Sequence, residues 1–96
     1  MFQKLLNARR EKKLGEAIAN HDLRKMEEYL SLGVTKVDYM QMRMADYGDG
    51  TLKVPACKFE DPWLLAQAVG LGRDGVQLLY RYIPNEEIKY SRKTNY

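Results

Sequence analysis

The stretch AIANHDLRKMEEYLSLGV, Ala17 to Val34, reads as the end of one helix, a tight turn and a second helix. Ala17 and Ile18 continue an apolar stripe that passes through Leu14. Asn20-His21-Asp22 is a turn, and Asp22 is placed to cap the second helix, with Lys25 where a capping box would carry Glu. Leu23, Met26, Tyr29 and Leu30 recur at helical spacing, and Gly33 stands where a left-handed residue closes a helix. The rest of the chain is read outward from this pair.

Towards the N-terminus, residues 1–13 have high helix propensity and no Gly or Pro. Phe2, Leu5 and Leu6 give them an apolar side, which makes 1–13 a candidate capping helix for the end of the fold. Gly15 marks either a break before the next helix or a bend within one. Charge is concentrated in the same stretch. Lys4, Arg9, Arg10, Lys12 and Lys13 face the single Glu11, a local net charge of +4 in a chain whose total is +3.

Towards the C-terminus the period changes to two. Met40, Met42 and Met44 alternate with Tyr39, Gln41 and Arg43, and Leu52, Val54 and Ala56 alternate with Thr51, Lys53 and Pro55. Asp46, Gly48, Asp49 and Gly50 lie between, so residues 37–60 are expected to form a β-hairpin. Pro55 confines its strand to an edge or ends it. The methionine face is expected to turn inward, and a binding surface built on that adaptable side chain is the other possibility. A second helix pair occupies 61–83. Asp61 caps a helix opening at Pro62, Gly70 and Gly72 bracket a turn, Asp74 is the next cap candidate, and Pro84 stops the last stripe of Val76, Leu78, Leu79 and Tyr82. Residues 84–96 are a tail in which Tyr90 and Tyr96 could fold back.

Length and composition set the outer limits. At 96 residues, with 45% hydrophobic and 30% charged side chains, the chain has the make-up of one small soluble domain and no room for a multidomain enzyme. Cys57 is the single cysteine, so no internal disulfide forms, and it is expected to be a buried small hydrophobe. No apolar run is long enough to span a membrane and no signal-peptide core is present, from which a cytoplasmic location is expected.

Set side by side, the two helix pairs expose a repeat. Ala17 to Val34 resembles the ankyrin-repeat pattern, with Ala17 and Ile18 in the first helix, Met26 at the usual Val position, Tyr29-Leu30 for Leu-Leu and Gly33-Val34 for Gly-Ala. DPWLLAQAVG, Asp61 to Gly70, resembles the family's Thr-Pro-Leu-His-x-Ala opening, and Leu78-Leu79 falls on its Leu-Leu pair. The departures are His21 for the turn glycine, Lys12-Lys13 for Thr-Pro and Leu64 for the family His. Ala17 and Ala66 lie 49 residues apart, against about 33 in the family. The excess falls between Val37 and Glu60, where an ankyrin repeat carries its β-turn finger. The resemblance covers about residues 12–83. It implies a mainly α fold of two ankyrin-like helix-turn-helix pairs with an inserted β-hairpin and an N-terminal capping helix.

Catalysis finds little support in this sequence. His21, the only histidine, sits on a turn, and Ser31, Ser91 and Cys57 have no nucleophile motif around them. Asp46 to Gly50 lacks the calcium-loop pattern, and no metal, cofactor or phosphate motif is present. The resemblance implies a binding scaffold: a small protein-binding adaptor or inhibitor, not an enzyme, that contacts its partner through Tyr39, Gln41, Arg43 and Tyr47 of the hairpin and through Arg24, Trp63 and Arg73 of the helices. Two repeats leave open ends, so a homodimer is a further expectation. The competing reading is a nucleic-acid-binding protein that uses the basic residues 1–13.

Overall fold

The computed structural model describes residues 2–45 and 52–85, so the expectations for Tyr47, Tyr90 and Tyr96 lie outside the described residues. It is mainly helical, with one small antiparallel hairpin. In chain order the elements are α1 (Phe2–Ala19), α2 (Leu23–Ser31), β1 (Tyr39–Ala45), β2 (Leu52–Phe59), α3 (Pro62–Ala68) and α4 (Arg73–Tyr82). The first helices of the two pairs, α1 and α3, pack on each other, and the second helices, α2 and α4, do the same. The hairpin joins the pairs on the side of the first helices, β1 against α1 and β2 against α3. No helix among the described residues is long and apolar enough to cross a membrane.

Helix ends obey local chemistry. The Asp22 carboxylate accepts from the Lys25 N–H at 3.2 Å, and Asp61 accepts from the Trp63 N–H at 2.8 Å with Pro62 in the first turn. Three helices close with the same pair of backbone hydrogen bonds. At α1 the Asp22 N–H donates to Ala17 O (2.8 Å) and the His21 N–H to Ile18 O (3.1 Å); Val34 and Gly33 repeat this after α2, and Leu71 and Gly70 after α3. Such a closure needs a left-handed residue. Gly33 and Gly70 supply it at φ +94° and +65°, whereas His21 adopts φ +55° despite its side chain. The imidazole offsets that strain, since His21 Nε2 lies 3.0 Å from the carbonyl oxygen of Val69, the residue that caps α3. One hydrogen bond thus ties corresponding ends of α1 and α3. The expected cap Asp74 is instead in the first turn of α4, where its charge suits the helix dipole; Gly72 is the capping residue and contributes no side-chain bond.

The core lies between the two helix layers. Leu14 and Ile18 of α1, Met26 of α2, Leu65 of α3 and Leu79 of α4 are fully buried, and Val37 closes the core below the hairpin. The N-terminal stretch departs from expectation. No break occurs at Gly15, and residues 1–13 do not form a separate cap: α1 runs on as one helix of 18 residues, while α2 has 9. At about 1.5 Å per residue, α2 spans only half of α1. Residues Lys4 to Arg9 are therefore exposed, and Leu5 and Leu6 cover no core, at 69% and 45% exposure.

Gly15 serves close packing. A Cβ built there would stand 2.8 Å from the Cβ of Tyr39, so the missing side chain is what admits the first residue of β1 onto α1. Beside this contact the Asp38 N–H donates to Glu11 O of α1 at 3.2 Å, and the Val37 N–H donates to Glu60 O at 3.3 Å. Tyr39 and Phe59 pack on the core at the hairpin's base. Beyond it Met40, Gln41 and Met42 on β1, and Pro55 to Lys58 on β2, are exposed. The expectation of an inward methionine face is therefore corrected at Met40 and Met42, and that of a buried Cys57 likewise. Among the described residues no layer covers this part of the ribbon, Tyr39 takes the inward position, and Cys57 is exposed. Gln41 pairs with Cys57 but Met42 pairs with Pro55, leaving Ala56 as a bulge next to the proline.

These contacts make two stability effects measurable. Overpacking against Tyr39 should cost Gly15→Ala about 1–3 kcal/mol, offset by the roughly 1 kcal/mol an alanine ordinarily gains in a helix, so that urea unfolding reads a net loss of up to about 2 kcal/mol where a free helical glycine would give a gain. At His21, both Ala and Gly lose the bond to Val69, but Gly relieves the left-handed strain. His21→Gly should be more stable than His21→Ala by about 1 kcal/mol; equal midpoints would mean that the turn carries no strain.

Candidate binding surface

The structure divides the sequence-predicted contact residues between two faces. On the hairpin side, Tyr39 is half-buried against Gly15 and the core, Gln41 is exposed opposite Cys57, and Arg43 lies in β1 opposite Val54. On the other side, Arg24 and Arg73 are exposed on α2 and α4. Trp63 belongs to neither. Its Nε1–H donates to Ile83 O at 3.0 Å and its ring meets Tyr80 edge-on, with centroids 6.3 Å apart, so the indole holds the two ends of the second pair together.

Between α2 and α4 runs a groove of about 380 Å³ over Leu78. Arg24 and Arg81 line it together with Glu27 and Asp74, so its charge is balanced. A neighbouring hollow of about 260 Å³ has His21 and Leu71 in its lining and Arg73 at its rim. Asp74 lines both grooves, beside Arg24, Glu27 and Arg81 in the first and beside His21 in the second. Among the described residues, no three His, Cys, Asp or Glu side chains are placed to hold a metal.

The N-terminal end of the stack offers a surface that the sequence reading assigned to capping. The projecting half of α1 exposes Leu5, Leu6 and Arg9. Beside it lies a groove of about 300 Å³, lined by Asn7 and Arg10 of α1 and by Leu32, Val34 and Lys36 after α2. Val34 is buried at its floor, whereas Leu32 is 53% exposed. A signal for this was present in the spacing. At about 100° per residue, Leu5 points some 180° away from Leu14 and Leu6 some 80°, so Leu5 does not continue the stripe that enters the core and Leu6 lies at its edge.

In comparisons with known proteins, no family model, no curated protein sequence and no solved structure matches the chain.

The different duties of these residues are open to measurement. Trp63→Phe removes the bond to Ile83 O and should lower unfolding stability by about 1–2 kcal/mol. Gln41→Ala, on the exposed ribbon, should stay within about 0.5 kcal/mol of the parent.

Proposed function

We propose that this chain is a small non-catalytic protein-binding module, an adaptor or inhibitor acting in the cytoplasm, built on two degenerate ankyrin-like repeats. The observation that carries this reading is the in-order stacking of the helix pairs with a projecting hairpin between them. First helix lies on first and second on second, the mode of assembly that defines repeat stacks. The His21–Val69 bond joins corresponding ends of α1 and α3. The hairpin takes the place of an enlarged finger, anchored at Tyr39 and Phe59 and open to a partner at Met40, Gln41 and Met42. Methionine suits such a surface because its flexible, polarizable side chain adapts to the shape it meets.

The nucleic-acid reading keeps one supporting observation: Lys4, Arg9, Lys12 and Lys13 are exposed along α1. A tagged-chain pull-down from nuclease-treated lysate separates the two. Tyr39→Ala is a poor probe, because it removes the hairpin's anchor; Met40→Ser/Met42→Ser changes the exposed ribbon alone. The expected result is a discrete protein that survives nuclease, is retained as salt rises, and is lost with the double variant. Recovery abolished by nuclease and indifferent to the variant would overturn the reading in favour of the basic helix.

A further inference from the structure

The projecting half of α1 is a second feature that the repeat stack does not use. Leu5 turns away from the core, whereas Leu6, 45% exposed, lies on the Arg10 side of the helix that borders the groove, with cations on both sides of it. Lys4, Arg9, Arg10, Lys12 and Lys13 lie on this helix and Lys36 on the far wall of the adjoining groove. Of these, only Lys13 has an ion-pair partner among the described residues, Glu16 at 3.7 Å. The groove between α2 and α4 balances two cations with two carboxylates; the one beside α1 sets Arg10 and Lys36 against Glu11 alone. The exposed apolar side chains and the excess positive charge therefore coincide at one end of the molecule.

We infer that this end, formed by the first turns of α1 and the groove walled by Arg10, Leu32 and Lys36, receives an acidic amphipathic segment of a partner protein. The inference rests on the protein-binding reading and adds the partner's chemistry. Apolar side chains of the incoming segment meet Leu6, which lies about 40° from Arg10 around α1, and Leu32, and its carboxylates meet the flanking Arg and Lys, the arrangement by which a helix lies in a groove. Charge complementarity selects the occupant. A second copy presenting the same end would bring cation against cation. A phosphate backbone would satisfy the cations but leave the leucines facing water.

The test is a fluorescence-anisotropy titration of the whole chain with a labelled synthetic helix of about five turns, leucine along one side and glutamate elsewhere. A scrambled peptide of identical composition, a DNA duplex and phosphatidylserine vesicles are run beside it. The ordered peptide should bind at least about tenfold more tightly than the scrambled one. Leu6→Ser/Leu32→Ser and Arg10→Glu/Lys36→Glu should each weaken it by about tenfold or more, with circular dichroism showing each variant folded. Met40→Ser/Met42→Ser should leave peptide binding unchanged. Equal affinity for the scrambled peptide, tighter binding of DNA or vesicles, or no binding would overturn the inference. If it fails while a partner is still captured through Met40 and Met42, the protein-binding reading stands without it.

Discussion

The close approach of Tyr39 to Gly15 is the contact on which the arrangement of the hairpin depends. A ribbon of two strands is marginal by itself in water, and Met40 to Met42 and Pro55 to Lys58 of this one are exposed. It is held at its base, where the absence of one side chain on α1 lets Tyr39 sit down and brings the Asp38 N–H within reach of Glu11 O. Phe59 makes the second anchor, and Lys58 lies between the carboxylates of Asp38 and Glu60 at 3.7 and 3.5 Å. Those ion pairs are exposed and contribute little. The packed aromatic rings and the backbone bonds do the holding.

From that anchor the molecule extends in two directions. The helices form a stack only two pairs deep, with a core drawn from all four helices and the loop through Val34 and Val37. So short a stack has a large share of end surface for its volume. Its ends are not treated alike. At the second pair, Trp63 bridges to Ile83 O and Tyr80, turning a large side chain inward. At the first, α1 continues past the reach of α2 and nothing among the described residues covers Leu5. One helix thus does two jobs in sequence, the second half building the core and the first half projecting from it.

Much of the framework was legible in the sequence because it is set by neighbours. Asp22, Asp61-Pro62 and Gly33 act within one turn of where they sit, and the change of period at Val37 marks the hairpin regardless of what it packs on. The misreadings share a cause, which is that they concern contacts between distant residues. A glycine declares that a Cβ is unwelcome, not whether a bend or a neighbour forbids it, so Gly15 read as a possible break although Tyr39 was the reason. Alternation in β1 gave the period but not the side facing the helices. That choice was made by Tyr39, and with it Met40 and Met42 went to solvent, while Cys57, opposite Gln41, is exposed because the ribbon has run past the core there. The length mismatch between α1 and α2 was visible once the two were counted as single helices, but Gly15 obscured the count.

The same contacts redistribute what the surface can offer a partner. Tyrosine, tryptophan and arginine are the side chains that most often dominate a binding site, and Tyr39 and Trp63 were among the contacts expected from the sequence. Both are engaged inside the fold, Tyr39 as the hairpin's anchor and Trp63 through its ring and its indole N–H. Removing either would change binding through stability before it touched any interface. On the proposed binding reading, recognition falls to exposed side chains: Met40, Gln41 and Met42 on the ribbon, and Leu6, Leu32 and the cations around them at the end of α1. These two surfaces differ in kind, one neutral and adaptable, the other apolar and positively charged. On the proposed reading, a partner engaging both would have to match that difference along its own length, and that requirement would be a source of selectivity.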